Sequence, residues 1–165
     1  MLITLFTDAS YCSRTRIAAY AAWAKADGRT LRRSGVLRQP AANSTLAETM
    51  ALVNGIHLAI AGMQPPPASR IIAQTDCLTA IEALTGGFTN PKAIRQYADI
   101  VAAYRLRIDA ARVVVEFRHV GGHKGTVTPR NAVNTWCDTE CRRLMRAARL
   151  ELPRAAGPLS SAAAA

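Results

Sequence analysis

A chain of 165 residues, half of them hydrophobic, is long enough for one domain with one sizeable core, and this composition argues against wholesale disorder. The 21 basic and 11 acidic residues give a net charge of +10, which favours nucleic acid as a partner over an anionic membrane surface, although a basic protein without an electrostatic function would look the same. No apolar run reaches the roughly 18 residues that span a bilayer and no secretory signal is present, so we expect no membrane partner and a reducing cytoplasm.

The first 38 residues are predicted to form three strands. These strands lie at residues 2–7, 17–25 and 30–38. The first strand is expected to end at Asp8 and to be followed by a polar turn at residues 9–16. The middle segment could be strand or helix by composition alone, but Asp27 and Gly28 are a strong turn signal, so a hairpin of two strands is favoured.

The rest of the chain is predicted to contain four helices and two further strands. The helices lie at residues 45–62, 78–85, 91–108 and 130–148, and the strands at residues 70–75 and 112–118. Thr45 is expected to cap the first helix, which ends at Gln64 and the prolines that follow. The order β-β-β-α-β-α-α-β-α predicts an α/β domain over residues 1–150, with a mixed sheet and helices on both faces. Residues 151–165, rich in Ala, Pro and Ser, are predicted to be a disordered tail.

Four carboxylates occupy positions from which they could meet. Asp8 and Asp76 each follow a predicted strand, and ligands in open α/β sheets gather beyond the carboxyl ends of strands. Glu48 lies in the first turn of one helix and Asp138 midway along the last one. If the strands before Asp8 and Asp76 are neighbours, the four groups can converge. Such a cluster requires cations, because like charges a few ångströms apart repel and raise one another's pKa.

Mg²⁺ suits such a cluster, because it is a hard ion that prefers carboxylate, water and phosphate oxygens. Two ions about 4 Å apart can activate a water and stabilise the leaving oxygen of a phosphoryl displacement. Each carboxylate taken alone also has a structural explanation. Asp8 could start a β-turn and Asp138 could face solvent, while Asp76 could cap the next helix. Glu48 could complete a capping box with Thr45. The joint pattern on a strongly basic chain favours a functional site.

Two of the four cysteines raise the alternative of a zinc site. Cys137 and Cys141 lie four residues apart on the predicted last helix, and His119 and His123 lie upstream of them. A zinc site needs deprotonated ligands that converge tetrahedrally, and the chain has no CxxC pair. Cysteines at helical spacing are more often core residues, so burial is favoured over zinc.

Five segments occur in a characteristic order: ITLFTDAS with Asp8, TLAETMAL with Glu48, IIAQTDCLTAI with Asp76, VGGHKG with His123, and NAVNTWCD with Asn134 and Asp138. Through these segments the sequence resembles type 1 ribonuclease H over residues 2–148. The resemblance implies the ribonuclease H-like fold, with a five-stranded mixed sheet flanked by helices. It also implies an endonuclease that hydrolyses the RNA strand of RNA/DNA hybrids. We expect this enzyme to act as a monomer and to leave 5′-phosphate and 3′-hydroxyl ends.

The resemblance further implies a role for each site residue. Asp8, Glu48, Asp76 and Asp138 would hold two Mg²⁺ ions, with Mn²⁺ as a substitute, and Asp8 would bridge both ions. His123 matches a loop histidine that assists proton transfer or product release. RNA is told from DNA by its 2′-hydroxyl, and the implied substrate-binding residues are Ser10, Asn43, Thr45 and Asn134.

The sequence departs from the family in two regions that concern the substrate. The segment after Asp8 lacks the usual glycines, and Cys77 replaces a small polar residue after Asp76. The region between Asp76 and His123 lacks the basic, Trp-rich helix with which some members grip a hybrid. Three alternatives therefore stay open: a DNA nuclease of the same fold (a junction resolvase or an exonuclease), a non-catalytic nucleic-acid-binding protein, and a structural protein whose acids serve as caps.

Overall fold

The structure, a computed structural model, describes residues 1–121 and 129–151. These residues contain five strands and four helices. The strands are β1 (Leu2–Tyr11), β2 (Ala18–Ala26), β3 (Arg29–Val36), β4 (Arg70–Thr75) and β5 (Val114–His119). The helices are α1 (Ser44–Met63), α2 (Leu78–Thr85), α3 (Pro91–Ala111) and α4 (Pro129–Leu150). Their order along the chain is the predicted one. The tail predicted at residues 151–165 lies, apart from its first residue, outside the described residues.

The strands form one mixed sheet in the order β3-β2-β1-β4-β5. β1, β2 and β3 pair antiparallel, whereas β4 is parallel to both β1 and β5. Asp27 and Gly28 connect β2 to β3 as a two-residue loop, because Ala26 pairs with Arg29. Both loop residues have positive φ angles, 46° and 76°, as a type I′ hairpin turn requires. The ambiguous second segment is therefore a strand, as the turn signal predicted.

The two faces of the sheet carry separate cores. Ile3 and Leu5 of β1 pack with α1, α2 and α3 on one face, and Phe6 packs with α4 on the other. Side chains alternate between the two faces along a strand, so Asp8 lies on the same side of β1 as Phe6. The α4 side of the core also contains Cys137, which is fully buried. The polar edge of the sheet beyond Phe6 is thus bordered by α4.

Among the described residues, α1 is long and apolar enough to cross a bilayer by length and composition, with a mean hydropathy of 1.3. The sequence-based statement that no segment reaches this length is therefore wrong on this criterion. Half of the apolar window is buried inside the fold. Leu52 and Ile56 are fully buried against the sheet, so core packing explains the apolar character of the helix.

α1 packs tightly against β1 at Gly55, where an added Cβ would overlap Cγ2 of Thr7 and lie 3.5 Å from Cδ1 of Leu5. Overpacking in Gly55→Ala is expected to cost about 3 kcal/mol, the upper end of the usual range, because the added Cβ overlaps Thr7 severely. This cost exceeds the roughly 1 kcal/mol gain in helix propensity, so the free energy of unfolding should fall. Gly62→Ala is the matched control on the same helix, because its Cβ meets the flexible end of Leu31. Urea denaturation of both variants measures the difference; equal stabilities would contradict tight packing at Gly55.

Candidate active site

Asp8 lies inside β1 and not at its end. The predicted turn at residues 9–16 is wrong in its first part, because Ala9–Tyr11 continue to pair with β2. The parallel pairing with β4 stops earlier, at Phe6 and Gln74. Asp8 therefore extends past the last pair of the parallel ladder, at the edge where β4 ends and Asp76 follows.

Glu48 is held by α1 and has no role in capping that helix. The helix begins at Ser44, and its N-cap is Asn43, whose Oδ1 accepts the backbone N–H of Leu46 at 2.8 Å. The predicted Thr45 cap is wrong, because Thr45 already lies inside the helix. A capping box needs the acid at the third helical position, which Leu46 occupies, so Glu48 cannot complete one. Oε2 of Glu48 is buried and has no hydrogen-bond partner among the described residues.

Asp76 and Asp138 also do not have the structural roles considered for them from the sequence, a helix cap and a solvated helix face. The N-cap position of α2 is Cys77, so Asp76 does not cap that helix. The backbone oxygen of Asp76 lies 3.1 Å from Nε2 of His119. Asp138 does not sit on a fully solvated helix face, since its side chain is only 20% exposed and forms an ion pair with Arg142, whose Nε lies 2.8 Å from its Oδ1. Neither carboxylate is therefore used as a helix cap, and both lie near the end of the sheet at which β4 stops.

The structure brings the four carboxylates into two overlapping groups. In the first group, one carboxylate oxygen each from Asp8, Glu48 and Asp76 lie within 4.8 Å of one another. In the second, Asp8 and Asp138 are joined within the same limit by Sγ of Cys141. Asp8 belongs to both groups, because β1 is the central strand of the sheet and both α1 and α4 pack against it.

Burial and mutual repulsion raise the pKa values of the two innermost carboxyl groups. Asp8 is only 8% exposed. Its burial, with the charges of Asp76 and Asp138, raises its pKa to about 7. Burial, followed by the charges of Asp8 and Asp76, raises the pKa of Glu48 to about 9. At neutral pH the cluster therefore retains protons unless a cation replaces them.

The donor set fits a hard divalent cation. Carboxylate oxygens are the ligands that Mg²⁺ and Mn²⁺ prefer. The unpartnered Oε2 of Glu48 is a second indication, because a buried acceptor without a hydrogen bond is costly and a cation would satisfy it. The carboxylate cluster of the described residues can therefore hold a metal ion.

The predicted substrate-binding residues lie on the same elements as the carboxylates. They are Ser10 on β1, Asn43 and Thr45 at the start of α1, and Asn134 on α4. Ser10 faces the same side of β1 as Asp8, and Asn134 lies one helical turn before Asp138. Asn43 is exposed, but its Oδ1 already serves as the helix cap. His123 lies outside the described residues.

Two residues next to Asp138 were missing from the predicted site. Cys141 and Arg142 follow it by three and four positions and so share its face of α4. The sequence favoured core burial for Cys137 and Cys141, and both are fully buried. The sequence did not predict that Sγ of Cys141 would also lie among the carboxylates. The sequence did contain a signal for this proximity: Cys141 follows Asp138, a predicted site residue, by three positions.

The cap assignment gives a direct test by substitution. Asn43→Ala is expected to destabilise the protein by about 1 kcal/mol, because the Leu46 N–H loses its acceptor. Thr45→Ala is the matched control and is expected to change the free energy of unfolding by no more than about 0.5 kcal/mol. Thermal unfolding of the two variants compares them, and a larger loss in Thr45→Ala would restore the original assignment.

Solved ribonuclease H domains are similar to this chain in structure. The N-terminal ribonuclease H domain of a Mycobacterium tuberculosis protein, solved as a fusion with maltose-binding protein, matches with a TM-score of 0.64 and 17% identity, over 90% of this chain and 96% of that one. A ribonuclease H1 isolated from compost, solved in complex with an RNA/DNA hybrid, matches with a TM-score of 0.61 and 16% identity, over 89% and 99% of the two chains. The ribonuclease H1 of the archaeon Halobacterium salinarum gives a TM-score of 0.60 and 17% identity, over 89% and 99%.

No protein-family model and no curated protein sequence matches this chain. The likenesses in structure nevertheless define the fold: an α/β domain built on a mixed five-stranded sheet. Its fold is the ribonuclease H-like fold, as the sequence predicted.

Proposed function

We propose that this chain is an endonuclease that hydrolyses the RNA strand of RNA/DNA hybrids. The observation that carries the proposal is the convergence of four carboxylates on a chain whose net charge is +10. They are Asp8, Glu48, Asp76 and Asp138. A structural neighbour solved in complex with an RNA/DNA hybrid adds support, because it shares the fold over 89% of this chain.

The carboxylates would hold divalent cations, for which we propose two Mg²⁺ ions, with Mn²⁺ as a substitute. Asp8, Glu48 and Asp76 would hold one ion, and Asp8 and Asp138 would hold the other. When bound, such ions polarise the phosphate, supply a nucleophilic water at neutral pH and stabilise the leaving oxygen.

The protein's own residues position these groups. Asp8 is fixed by β-sheet pairing on one side and by its neighbour's N–H, since the backbone N–H of Ala9 donates to its Oδ1 at 2.8 Å. Arg142 orients Asp138 through the ion pair on α4. Because water attacks in this mechanism and the 2′-hydroxyl does not, the products carry 5′-phosphate and 3′-hydroxyl ends. Fragments with 2′,3′-cyclic phosphates would contradict the proposal.

Selection of RNA would depend on the polar residues that border the carboxylates. The 2′-hydroxyl is both a donor and an acceptor and is reached from the minor groove. We propose that Ser10, Asn43, Thr45 and Asn134 contact the substrate and that His123 assists proton transfer or product release. The surplus of arginines would contact phosphates, which makes binding dependent on salt.

We also propose that the protein acts as a monomer in a reducing cytoplasm. All four cysteines are free thiols in the structure, which agrees with that compartment. Size-exclusion chromatography with light scattering tests the oligomeric state, and a dimer at micromolar concentration would contradict it.

The substrate is tested by offering the wild-type protein five end-labelled nucleic acids with Mg²⁺: hybrid, single-stranded RNA, duplex RNA, duplex DNA and a four-way DNA junction. Cleavage confined to the RNA strand of the hybrid is the expected result. Cleavage of DNA alone would replace the proposal with a resolvase or exonuclease. Tight binding of hybrid without cleavage, unchanged in Asp8→Asn, would indicate a binding protein.

A further inference from the structure

A thiol lies inside the carboxylate cluster. Sγ of Cys141 and one oxygen each of Asp8 and Asp138 lie within 4.8 Å of one another, a spacing at which one ion can contact all three. Cys141 is fully buried, and its thiol donates to the backbone oxygen of Asp138 at 3.3 Å. Its sulfur is therefore held beside the second half of the proposed metal centre.

Burial in the α4 core does not by itself explain this position. Cys137 is equally buried one helical turn earlier, and its Sγ contacts the backbone oxygen of Phe6 at 3.9 Å. Cys137 belongs to neither ligand group of the described residues, whereas Cys141 belongs to one. The two cysteines therefore provide a matched pair that share helix and burial and differ in proximity to the carboxylates.

Sulfur changes which cations the site prefers. Thiolates select soft or borderline ions such as Zn²⁺, whereas oxygen ligands suit Mg²⁺ and Mn²⁺. We propose that Asp8, Asp138 and Cys141 form a mixed oxygen and sulfur site that binds thiophilic divalent cations, such as Zn²⁺, Cd²⁺ and Co²⁺, and that these ions inhibit the enzyme. The proposal rests on the proposed function, because the site shares Asp8 and Asp138 with the proposed Mg²⁺ centre.

The chemistry of inhibition follows from the shared ligands. On binding, the Cys141 thiol releases its proton to solvent and its sulfur forms a bond to the ion. The ion then occupies two carboxylates that Mg²⁺ requires, so catalysis stops until it dissociates. Thiophilic ions are therefore expected to inhibit hybrid cleavage at concentrations far below those at which Mg²⁺ activates it.

Co²⁺ absorption provides a readout that does not depend on activity, because a bond from sulfur to Co²⁺ gives a charge-transfer band in the near ultraviolet. The background for the test is Cys12→Ser with Cys77→Ser, which leaves only the two cysteines of α4. We expect the band in this protein and in its further Cys137→Ser variant, and we expect it to disappear in the further Cys141→Ser variant.

Cd²⁺ affinity, measured by competition with Co²⁺, is expected to fall at least about tenfold in Cys141→Ser. Even substitution of residues that only contact the ligands lowers metal affinity about 10–100-fold. Cys141→Ala replaces the serine variant if that variant does not fold.

The outcomes separate this proposal from the proposed function. Absence of the Co²⁺ band in the background protein, or its persistence in Cys141→Ser, would overturn the thiolate site. If hybrid cleavage with Mg²⁺ is intact in that protein, the nuclease proposal survives the failure. If neither Mg²⁺-dependent cleavage nor the band is found, both proposals fail. A band that disappears only in Cys141→Ser, without Mg²⁺-dependent cleavage, would keep the metal site and reject the nuclease.

Discussion

Asp8→Asn is expected to lower the rate of hybrid cleavage by at least about a thousandfold. Asp8 is the carboxylate shared by both ligand groups, so its loss affects both proposed ions. Metal-ion stabilisation of a phosphoryl transition state is worth several kcal/mol, and about 4 kcal/mol corresponds to a thousandfold in rate. Single-turnover cleavage of an end-labelled hybrid at saturating Mg²⁺ measures the effect.

Asp99→Asn is the matched control for Asp8→Asn. Asp99 is exposed on α3 and belongs to neither ligand group. The rate of hybrid cleavage by Asp99→Asn is therefore expected to stay within about twofold of the wild-type rate. The Asp8→Asn protein should remain folded and gain thermal stability without metal at neutral pH, because a repelling buried charge is removed. Substantial cleavage by Asp8→Asn would show that the chemistry occurs elsewhere.

Mg²⁺ is expected to raise the melting temperature by about 5–10 °C, and by more at about pH 8.5 than at about pH 6. At a concentration 100 times its dissociation constant, a ligand adds about 2.7 kcal/mol, and 1 kcal/mol shifts the melting temperature of a chain of this size by about 2–4 °C. The carboxyl pKa values are raised to about 7 for Asp8 and about 9 for Glu48, so protons compete with metal below those values. Differential scanning calorimetry with Mg²⁺ or with EDTA measures the shift.

The metal-free protein is expected to show the opposite trend with pH. A carboxyl group whose pKa is raised on folding stabilises the protein below its unfolded pKa and loses that contribution as pH rises through the folded value. Stability without metal should therefore fall between about pH 4 and pH 9. Glu48→Gln should flatten this fall and reduce the Mg²⁺ shift, whereas Asp99→Asn should change neither. A Mg²⁺ shift that is equal in Glu48→Gln would argue against Glu48 as a ligand.

Most of the fold could be predicted because its determinants are local. The hairpin follows from Asp27 and Gly28, whose positive φ angles few other residue pairs adopt at low cost. Helical spacing predicted the first helix, and the bounds of the other elements were predicted to within a few residues. The end of β1 was predicted wrongly, because Ala9–Tyr11 are ordered by pairing with β2, a contact that composition does not reveal.

The site could be predicted only in part, for reasons of geometry. Asn43 and Thr45 are both good capping residues, and the backbone path before α1 selects the first. The meeting of Asp8 with Asp76 depends on β1 and β4 being neighbours, which the sequence left as a condition. Cys141 was interpreted as a core residue, since the proximity of its sulfur to Asp8 arises from how α4 crosses the sheet.

The most direct test of the proposed nuclease is to incubate the wild-type protein with an RNA/DNA hybrid labelled at the 5′ end of the RNA. Two parallel reactions are compared, one with Mg²⁺ and one with excess EDTA. The proposed mechanism predicts short RNA fragments with 3′-hydroxyl ends in Mg²⁺, an intact DNA strand, and no cleavage in EDTA. Equal cleavage of the RNA in EDTA, or an intact hybrid under both conditions, would contradict a metal-dependent centre formed by the four carboxylates.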